Sequence, residues 1–244
     1  MIPKVIHYCW FGRGQMPQLA LKCIESWKKY LPDYEIKEWN EDNFDLDMYP
    51  YVREAYDNRK FAFVTDVVRL YALYHEGGIY MDTDVEVLKS LDSLLKYEAV
   101  SGFESPTQIQ TGLMACREGH PLFKELLYEY NGIHFVKEDG TLDLTTNVVR
   151  ITNACLKNGL VLNNKLQTIK GFTILPKDYQ CPKSYKDGKI YLTKNTMTIH
   201  HFAGSWLDDK TRSRHNIKRK ILSLLGDDIT MFLVKMKKNI LRLF

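Results

Sequence analysis

The sequence lacks several patterns that would assign it to a familiar class of protein. Its five cysteines are odd in number and form no CxxC pair, so we expect reduced thiols in a cytosolic protein and not a disulfide framework. It has no Gly-x-Gly-x-x-Gly pattern, which argues against a dinucleotide cofactor. It also has no internal repeat, no low-complexity run and no resemblance to a nucleic-acid recognition module, so nucleic acid is not an expected partner.

What remains is the composition of a globular protein that can bury one sizeable core. The chain has 244 residues, of which 45% are hydrophobic and 26% are charged, and these values are ordinary for a folded domain. The sequence runs directly into an apolar strand, so we expect no signal peptide and no membrane anchor ahead of it. We predict one α/β domain over residues 1–209 and a separate extension over residues 210–244.

The extension is strongly basic, with ten Lys or Arg against two Asp. Residues 229–244 combine large apolar residues with cations, which predicts an amphipathic helix lying on an anionic membrane surface. This segment is too short and too charged to span a membrane. A helix that docks on the domain with a basic outer face is the alternative. We therefore expect a cytoplasmic protein, either free or peripheral on the inner face of the cytoplasmic membrane.

Apolar periodicity and turn residues place the main elements of the α/β domain. We predict strands within 2–12, 34–39, 79–81, 85–87 and 110–115, and helices over 17–31, 61–76 and 121–130. Residues 42–57 read as an irregular, acidic segment. His7, inside the first strand, reads as a core histidine and not as a ligand.

The most informative stretch is residues 61–84. It reads as an amphipathic helix, a glycine stop at Gly77 and Gly78, a short apolar strand, and then Asp82 and Asp84. Two residues apart on an extended backbone, these carboxylates point the same way. Paired oxygen ligands suit a hard cation such as Mg²⁺ or Mn²⁺, which can in turn hold a diphosphate. The pattern points to sugar-nucleotide chemistry.

Spacing alone does not establish that site, because Asp45 and Asp47 have the same spacing in a polar run that reads as a solvated loop. Asp82 and Asp84 differ from Asp45 and Asp47 because the helix that precedes them carries charges expected to be buried. Asp66 and Arg69 lie three residues apart on one face of that helix, and their neighbours are apolar on nearly every side. Charges so close to a core are usually paired or used on a ligand.

Residues 65–70 and 77–84 closely resemble the DXD signature of glycosyltransferase family 32, and they are similar to the core of the large clostridial glucosylating toxins. The opening strand and a late His-x-x-Gly-Ser-Trp element follow in family order. The resemblance implies a single GT-A-type, Rossmann-like domain with a mostly parallel sheet flanked by helices. It also implies retaining, metal-dependent hexosyl transfer from a nucleotide sugar in a bacterial capsule or exopolysaccharide enzyme.

The resemblance further implies a role for each matching residue. The Trp10 ring would stack on the base, although a core tryptophan is the alternative, and Asn40 would reach the nucleotide. Asp66 and Arg69 would orient the sugar, Tyr80 would lie near the phosphates, and Asp82 would bind sugar or ribose hydroxyls and reach the metal. The remaining matches are Asp84 and His201 as metal ligands, Gln110 beside the donor sugar, and Ser205 and Trp206 facing the metal and diphosphate.

The metal and the donor follow from these matches. His201 has the family spacing and His200 does not, and a histidine ligand favours Mn²⁺ over Mg²⁺. The alternative is that both histidines flank a strand end and bind no metal. The toxin-like match favours a UDP-sugar, whereas mannosyl members of the family use guanine nucleotides, so a GDP-sugar is the second candidate.

The acceptor side is less defined. We expect a glycan or lipid-linked glycan acceptor, with the loop over residues 101–107, including Glu104, able to touch either sugar. Many family members carry Thr-Gly-Pro where this chain has Thr145, Thr146 and Asn147, which leaves acceptor contacts open. Two other classes stay open as well: a nucleotidyl- or phosphotransferase that uses the same carboxylate pair, and a non-catalytic sugar-binding or membrane-associated protein.

Overall fold

The computed structural model describes residues 1–184, 187–204, 213, 214 and 217. Central strands with helices packed against them make an α/β structure. The strands are β1 (Val5–Cys9), β2 (Glu35–Trp39), β3 (Gly78–Met81), β4 (Val85–Val87), β5 (Ala99–Ser105), β6 (Gln108–Ile109), β7 (Leu113–Cys116), β8 (Gln167–Ile169), β9 (Phe172–Leu175) and β10 (Thr198–His200). The helices are α1 (Gln18–Tyr30), α2 (Pro50–Asp57), α3 (Phe61–Glu76), α4 (Pro121–Tyr128) and α5 (Asn147–Lys157).

The main sheet has the strand order β2-β1-β3-β7-β5-β9-β8, with β6 paired to β5 beside this path. Strand β1 is parallel to both β2 and β3, and β5 is parallel to β9. Strand β7 runs antiparallel to both β3 and β5, and β8 runs antiparallel to β9. Five of the seven strands in the path therefore share one direction, which confirms the predicted α/β fold with a mostly parallel sheet.

The segment from α3 to β3 forms as its sequence predicts. Helix α3 ends at Gly77, whose φ of 67° lies in the left-handed region that favours glycine. A Cβ on Gly77 would lie 2.7 Å from the backbone nitrogen of Glu118, and one on Gly78 would lie 2.7 Å from the carbonyl oxygen of Val5. Both glycines are thus required for the close approach of the chain to its neighbours where β3 begins.

Helix α1 and the core histidine also agree with their predictions. The Trp27 side chain of α1 is fully buried, and its indole N–H donates to the carbonyl oxygen of Val85 at 2.7 Å. Inside β1, the His7 ring accepts from the indole N–H of Trp39 at 3.1 Å, so its Nε2 donates to the carbonyl oxygen of Gly77 at 2.8 Å. Burial lowers the pKa of His7, which keeps the ring neutral. All five cysteines are buried and free of disulfides.

Two predictions of secondary structure are corrected. The segment predicted as irregular contains α2, whose first residue is a proline and whose Tyr51, Val52 and Ala55 side chains are fully buried. Acidic residues around this short helix hide its apolar face in the sequence. The strand predicted from Gln110 begins at Leu113, because the three preceding residues form a connection that carries part of the site described below.

The described chain divides into two units, residues 1–182 with 192–201, and residues 183–191 with the described residues from 202 onward. All site geometry given below lies within the first unit. The predicted boundary at 209/210 and the predicted amphipathic helix over 229–244 fall outside the described residues. Within the part of the chain that is described, no helix has both the length and the apolar character needed to cross a membrane.

Candidate active site

The paired carboxylates lie in a tight turn directly after β3. The backbone N–H of Asp82 donates to the carbonyl oxygen of Gly112 at 2.8 Å, and the N–H of Val85 donates to the carbonyl oxygen of Asp82 at 2.9 Å. Strand β4 then begins, and β10 pairs with it in antiparallel fashion so that His200 stands opposite Val85. This backbone pairing brings His200, which is 116 positions beyond Asp84 in the sequence, beside the two carboxylates.

Asp82, Asp84 and His200 form a group that can hold a metal ion. Each offers one ligand atom, and these atoms all lie within 4.8 Å of one another. The Nε2 atom of His200 is 3.3 Å from Oδ1 of Asp84. Gly112 leaves the space open, since a Cβ there would lie 2.8 Å from Cε1 of His200 and 3.3 Å from Oδ2 of Asp82. Two carboxylates and an imidazole fit Mn²⁺ better than Mg²⁺.

His200 takes the place that the sequence assigned to His201. The Nε2 atom of His201 lies 2.8 Å from Oε2 of Glu86, and Glu86 is also 3.3 Å from the Nζ atom of Lys22. Neighbouring residues at a strand end point to opposite sides of the strand, so a shift of one residue exchanges the two histidines. The spacing rule placed His201 in the metal shell, and strand geometry instead places His200 next to Asp82 and Asp84.

The two histidines are therefore expected to respond differently to substitution. His200→Ala should weaken Mn²⁺ binding by about 10-fold or more, because it removes a ligand of the candidate site. His201→Ala is the matched control and should leave the affinity within about 3-fold, since its ring contacts Glu86 instead. Titration of each variant with Mn²⁺ by calorimetry measures the difference. The reverse order of effects would restore the ligand assignment made from spacing.

Arg69 joins the carboxylate turn to helix α3. Its Nη2 atom lies 3.3 Å from Oδ1 of Asp66 and 3.2 Å from Oδ1 of Asp82. Its Nη1 donates to the carbonyl oxygen of Thr111 at 2.8 Å, and its guanidinium lies 4.5 Å from the centre of the Tyr80 ring. The Tyr80 hydroxyl donates to the same Asp82 oxygen at 2.9 Å. Oδ1 of Asp82 thus accepts from Tyr80 and pairs with Arg69, and its Oδ2 lies beside Gly112, as the His200 ring does.

Asp66 is held by Asn147, a residue far along the chain whose contact with Asp66 the sequence did not predict. The backbone N–H of Asn147, at the start of α5, donates to Oδ2 of Asp66 at 3.0 Å. The Asn147 side chain donates to the carbonyl oxygen of Asp66 at 2.6 Å and accepts from the Tyr130 hydroxyl at 2.8 Å. The residues that depart from Thr-Gly-Pro, for which the sequence left acceptor contacts open, therefore include an asparagine that positions Asp66.

The electrostatics follow from burial and proximity. Burial raises the pKa of Asp66 to about 6, against the opposing effects of Arg69 and the Asn147 N–H, so its carboxyl is mostly ionised at neutral pH. Burial lowers the pKa of Arg69, but Asp82 and Asp66 outweigh it and keep the guanidinium charged. Burial also lowers the pKa of His200, yet the Asp84 carboxylate raises it well above its ordinary value. A metal that binds His200 must therefore displace a proton.

Gln110 does not reach the open part of the site. Its side chain is fully buried, and its Nε2 donates to Oε1 of Gln180 at 2.6 Å. A Cβ on Gly102 would lie 3.0 Å from that Gln180 oxygen, so β5 also packs tightly on the pair. Gln110 immediately precedes Thr111 and Gly112, which line the carboxylate turn. Through this hydrogen bond the residue supports the connection before β7, and its contact with the donor sugar stays a prediction.

The residues expected to meet the nucleotide lie at the ends of β1 and β2. Trp10 follows β1 and is partly buried, and its indole N–H donates to the carbonyl oxygen of Gly14 at 2.6 Å. Asn40 follows β2, where its side chain donates to Glu38 at 2.9 Å and accepts from the backbone N–H of Asp42 at 2.9 Å. Both residues directly follow a strand, as the sequence predicted, and their contacts with a nucleotide stay predictions. Ser205 and Trp206 lie outside the described residues.

The carboxylate pair after β3 and the histidine of β10 together form an arrangement that can bind a divalent cation. The family model described as "Glycosyltransferase sugar-binding region containing DXD motif" matches residues 17–101. That segment carries Asp66, Arg69, Asp82 and Asp84. This segment of the chain is therefore similar to the sugar-binding region of DXD-containing glycosyltransferases.

Two curated mannosyl-transfer proteins are similar to about half of this chain. Inositol phosphoceramide mannosyltransferase 3 of Schizosaccharomyces pombe is 34% identical over 130 residues, which are 52% of this chain and 36% of that protein. Mannosyl phosphorylinositol ceramide synthase CSH1 of Saccharomyces cerevisiae is 29% identical over 131 residues, which are 52% of this chain and 35% of that protein. The matches thus span about a third of each relative. Among solved structures, the PaToxG glycosyltransferase has 21% identity and a TM-score of 0.46, over 64% of this chain and 74% of that one.

Proposed function

We propose that this protein is a metal-dependent, retaining glycosyltransferase that moves a hexosyl unit from a nucleoside diphosphate sugar to a glycan acceptor. The observation that carries the proposal is the Asp82–Asp84–His200 group, whose ligand atoms lie within 4.8 Å of one another. Its two carboxylates belong to the segment that matches the DXD family model. A divalent ion bound there supplies Lewis-acid neutralisation of the leaving nucleoside diphosphate.

The chain's own residues supply the positioning. Arg69 and the Tyr80 hydroxyl both contact one oxygen of Asp82, which favours the orientation of this carboxylate beside Asp84 and His200. Asp66, which accepts from the backbone N–H of Asn147 and pairs with Arg69, would orient sugar hydroxyls. Such preorganised charges favour the transition state because they need no reorganisation when the glycosidic bond breaks.

The donor base and sugar are separate parts of the proposal. The toxin-like resemblance favours a UDP-sugar. One relative is named an inositol phosphoceramide mannosyltransferase, and another is named a mannosyl phosphorylinositol ceramide synthase. A screen of donors should therefore include GDP-mannose. For the acceptor we propose a glycan or lipid-linked glycan in surface polysaccharide synthesis. We propose that the protein itself is cytoplasmic and can bind peripherally to the membrane.

A nucleotidyl- or phosphotransferase is the second candidate, because the same carboxylate pair could serve it. Phosphoryl-transfer sites with two metals place them about 3.5–4 Å apart and use further carboxylates to hold the second one. Within residues 1–184 and 187–204, the only group of three or more His, Cys, Asp or Glu able to hold a metal is the one at Asp82. The geometry therefore favours sugar transfer.

A donor screen tests the proposal. The protein is incubated with UDP-glucose, UDP-galactose or GDP-mannose, with Mn²⁺ or with a chelator, and the nucleotide products are separated by chromatography. We expect metal-dependent release of UDP or GDP from one donor, with water or an added glycan as acceptor. Release of pyrophosphate would indicate nucleotidyl transfer, and no metal-dependent nucleotide product from the full panel would indicate a binding protein.

A further inference from the structure

Tyr130 is a buried tyrosine at one end of the contacts that hold Asp66. It lies in a 3-10 turn over Glu129–Gly132, directly after α4, and its side chain is 1% exposed. Its ring packs edge-on against Tyr51, with ring centroids 5.0 Å apart, and the Arg150 guanidinium lies 5.4 Å from its ring centre. These contacts hold the ring within the core, and they therefore define where its hydroxyl points.

The Tyr130 hydroxyl has a partner of its own, since it donates to Oδ1 of Asn147 at 2.8 Å. Burial raises the pKa of Tyr130 well above its ordinary value, and the nearby Asp66 carboxylate raises it further. The hydroxyl is therefore protonated at neutral pH and can donate. A phenylalanine would give the same ring packing without placing a polar group in the core, so the contact with Asn147 is what distinguishes a tyrosine here.

The Asn147 amide is oriented by its two partners. Its Nδ2 donates to the carbonyl oxygen of Asp66 at 2.6 Å, and a rotation of the amide by half a turn would set its oxygen against that carbonyl oxygen, which is also an acceptor. The Oδ1 atom is left for the Tyr130 hydroxyl. Asn147 is 1% exposed, so its amide is shielded from bulk solvent. Removal of the Tyr130 hydroxyl would thus leave a buried amide oxygen without a donor.

Asn147 in turn holds the Asp66 carboxylate. As the first residue of α5, Asn147 has a backbone N–H without an acceptor inside its own helix, and Oδ2 of Asp66 accepts from it at 3.0 Å. Oδ1 of Asp66 lies 3.3 Å from Nη2 of Arg69. Both carboxylate oxygens therefore have a partner, and one of these partners is a residue whose side chain Tyr130 holds.

We propose that Tyr130 is a positioning residue for sugar transfer, whose hydroxyl fixes Asn147 and, through it, the Asp66 carboxylate that orients the sugar. This role rests on the proposed sugar-transferase function. It links the turn after α4 to the start of α5 and to the middle of α3 by hydrogen bonds at 2.8, 2.6 and 3.0 Å. Precise placement of an orienting group is required for rate, because a small displacement of the substrate lowers the rate of its reaction steeply.

The test compares Tyr130→Phe with Tyr51→Phe, which removes a hydroxyl from the neighbouring buried ring. The Tyr51 hydroxyl forms no hydrogen bond with Asn147 or Asp66. Release of UDP or GDP from UDP-glucose, UDP-galactose and GDP-mannose is followed with Mn²⁺, at a temperature where circular dichroism shows every variant folded. We expect Tyr130→Phe to lower kcat by about 10-fold with KM within about 3-fold of wild type, and Tyr51→Phe to stay within about 2-fold.

A double-mutant cycle separates positioning from a general effect on packing. Asn147→Ala should lower kcat by about 10-fold or more, and adding Tyr130→Phe to it should change kcat by less than about 2-fold, because the hydroxyl then has no amide to hold. A further 10-fold loss in the double variant would show that Tyr130 does not act through Asn147. The comparison of Tyr130→Phe with Tyr51→Phe decides the matter independently if Asn147→Ala does not fold.

Nucleotide binding provides a readout that does not depend on turnover. The affinities for UDP and GDP, which lack the sugar, should stay within about 3-fold of wild type in Tyr130→Phe. A 10-fold loss of either affinity, or equal losses of kcat in Tyr130→Phe and Tyr51→Phe, would overturn the proposal. Unchanged kcat in Tyr130→Phe beside an active wild type overturns the role of Tyr130 alone, whereas an inactive wild type across the donor panel overturns the sugar-transferase function with it.

Discussion

Asp84→Asn is expected to lower metal-dependent sugar transfer by about 100-fold or more while leaving the fold intact. Asparagine preserves the size of the side chain but removes the negative charge that binds the cation. It also removes the partner that lies 3.3 Å from Nε2 of His200 and raises the pKa of that ring. The backbone carbonyl of Asp84, which accepts from the N–H of His201 at 3.0 Å, is unchanged, so the pairing of β10 with β4 should persist.

The matched control for this variant is Asp47→Asn in the other Asp-x-Asp sequence. Asp47 is exposed and pairs with Arg53 at 2.6 Å, and its neighbour Asp45 accepts from the Asp47 N–H at 2.9 Å. We expect Asp47→Asn to retain full activity. Rates are compared at saturating Mn²⁺, and circular dichroism verifies the fold of both variants. Full Mn²⁺-dependent turnover by Asp84→Asn would refute the assignment of Asp84 to the metal.

Arg69→Met is expected to destabilise the protein by about 3–5 kcal/mol, which is a large fraction of the stability of a domain. Arg69 is buried and lies within 3.3 Å of both Asp66 and Asp82. Removing the guanidinium leaves the buried Asp66 carboxylate without its cation, and the carbonyl oxygen of Thr111 without its donor. The free energy of unfolding from urea titration measures the loss, which should be accompanied by loss of sugar transfer.

Arg53→Met provides the contrast, since Arg53 pairs with Asp47 at the surface. We expect it to change the free energy of unfolding by less than about 1 kcal/mol. The double variant Asp66→Asn with Arg69→Met should be more stable than Arg69→Met alone, because it no longer buries an unpaired charge. A loss below about 1 kcal/mol for Arg69→Met, similar to that of Arg53→Met, would contradict the view of Arg69 as the cation that binds two carboxylates.

The parts of the fold that the sequence predicts correctly are those that depend on local signals. Helix α3 has a long apolar face and ends at Gly77, so both its type and its end could be predicted. The position of Asp66 and Arg69 near the core could be predicted as well, because apolar residues surround them in sequence, and both prove to be buried. Helix α2 was missed because a short helix with acidic neighbours carries little apolar periodicity.

The parts of the site that were missed depend on contacts between distant segments. The choice between His200 and His201 depends on the register of β10 against β4, which a three-residue strand does not reveal in its sequence. Asn147 contacts Asp66 across 81 positions, and nothing near it in sequence marks that contact. Gly112 could have been suspected, since a glycine just before a buried strand often marks a close approach.

The most direct measurement is a crystal structure of the protein with Mn²⁺ and UDP or GDP, in which anomalous scattering locates the metal. We expect one manganese peak within bonding distance of Asp84 and His200, with Asp82 beside it directly or through water, and with the diphosphate on the open side. A peak at His201 and Glu86, or a diphosphate bound away from Asp82 and Asp84 with no metal between them, would contradict the account.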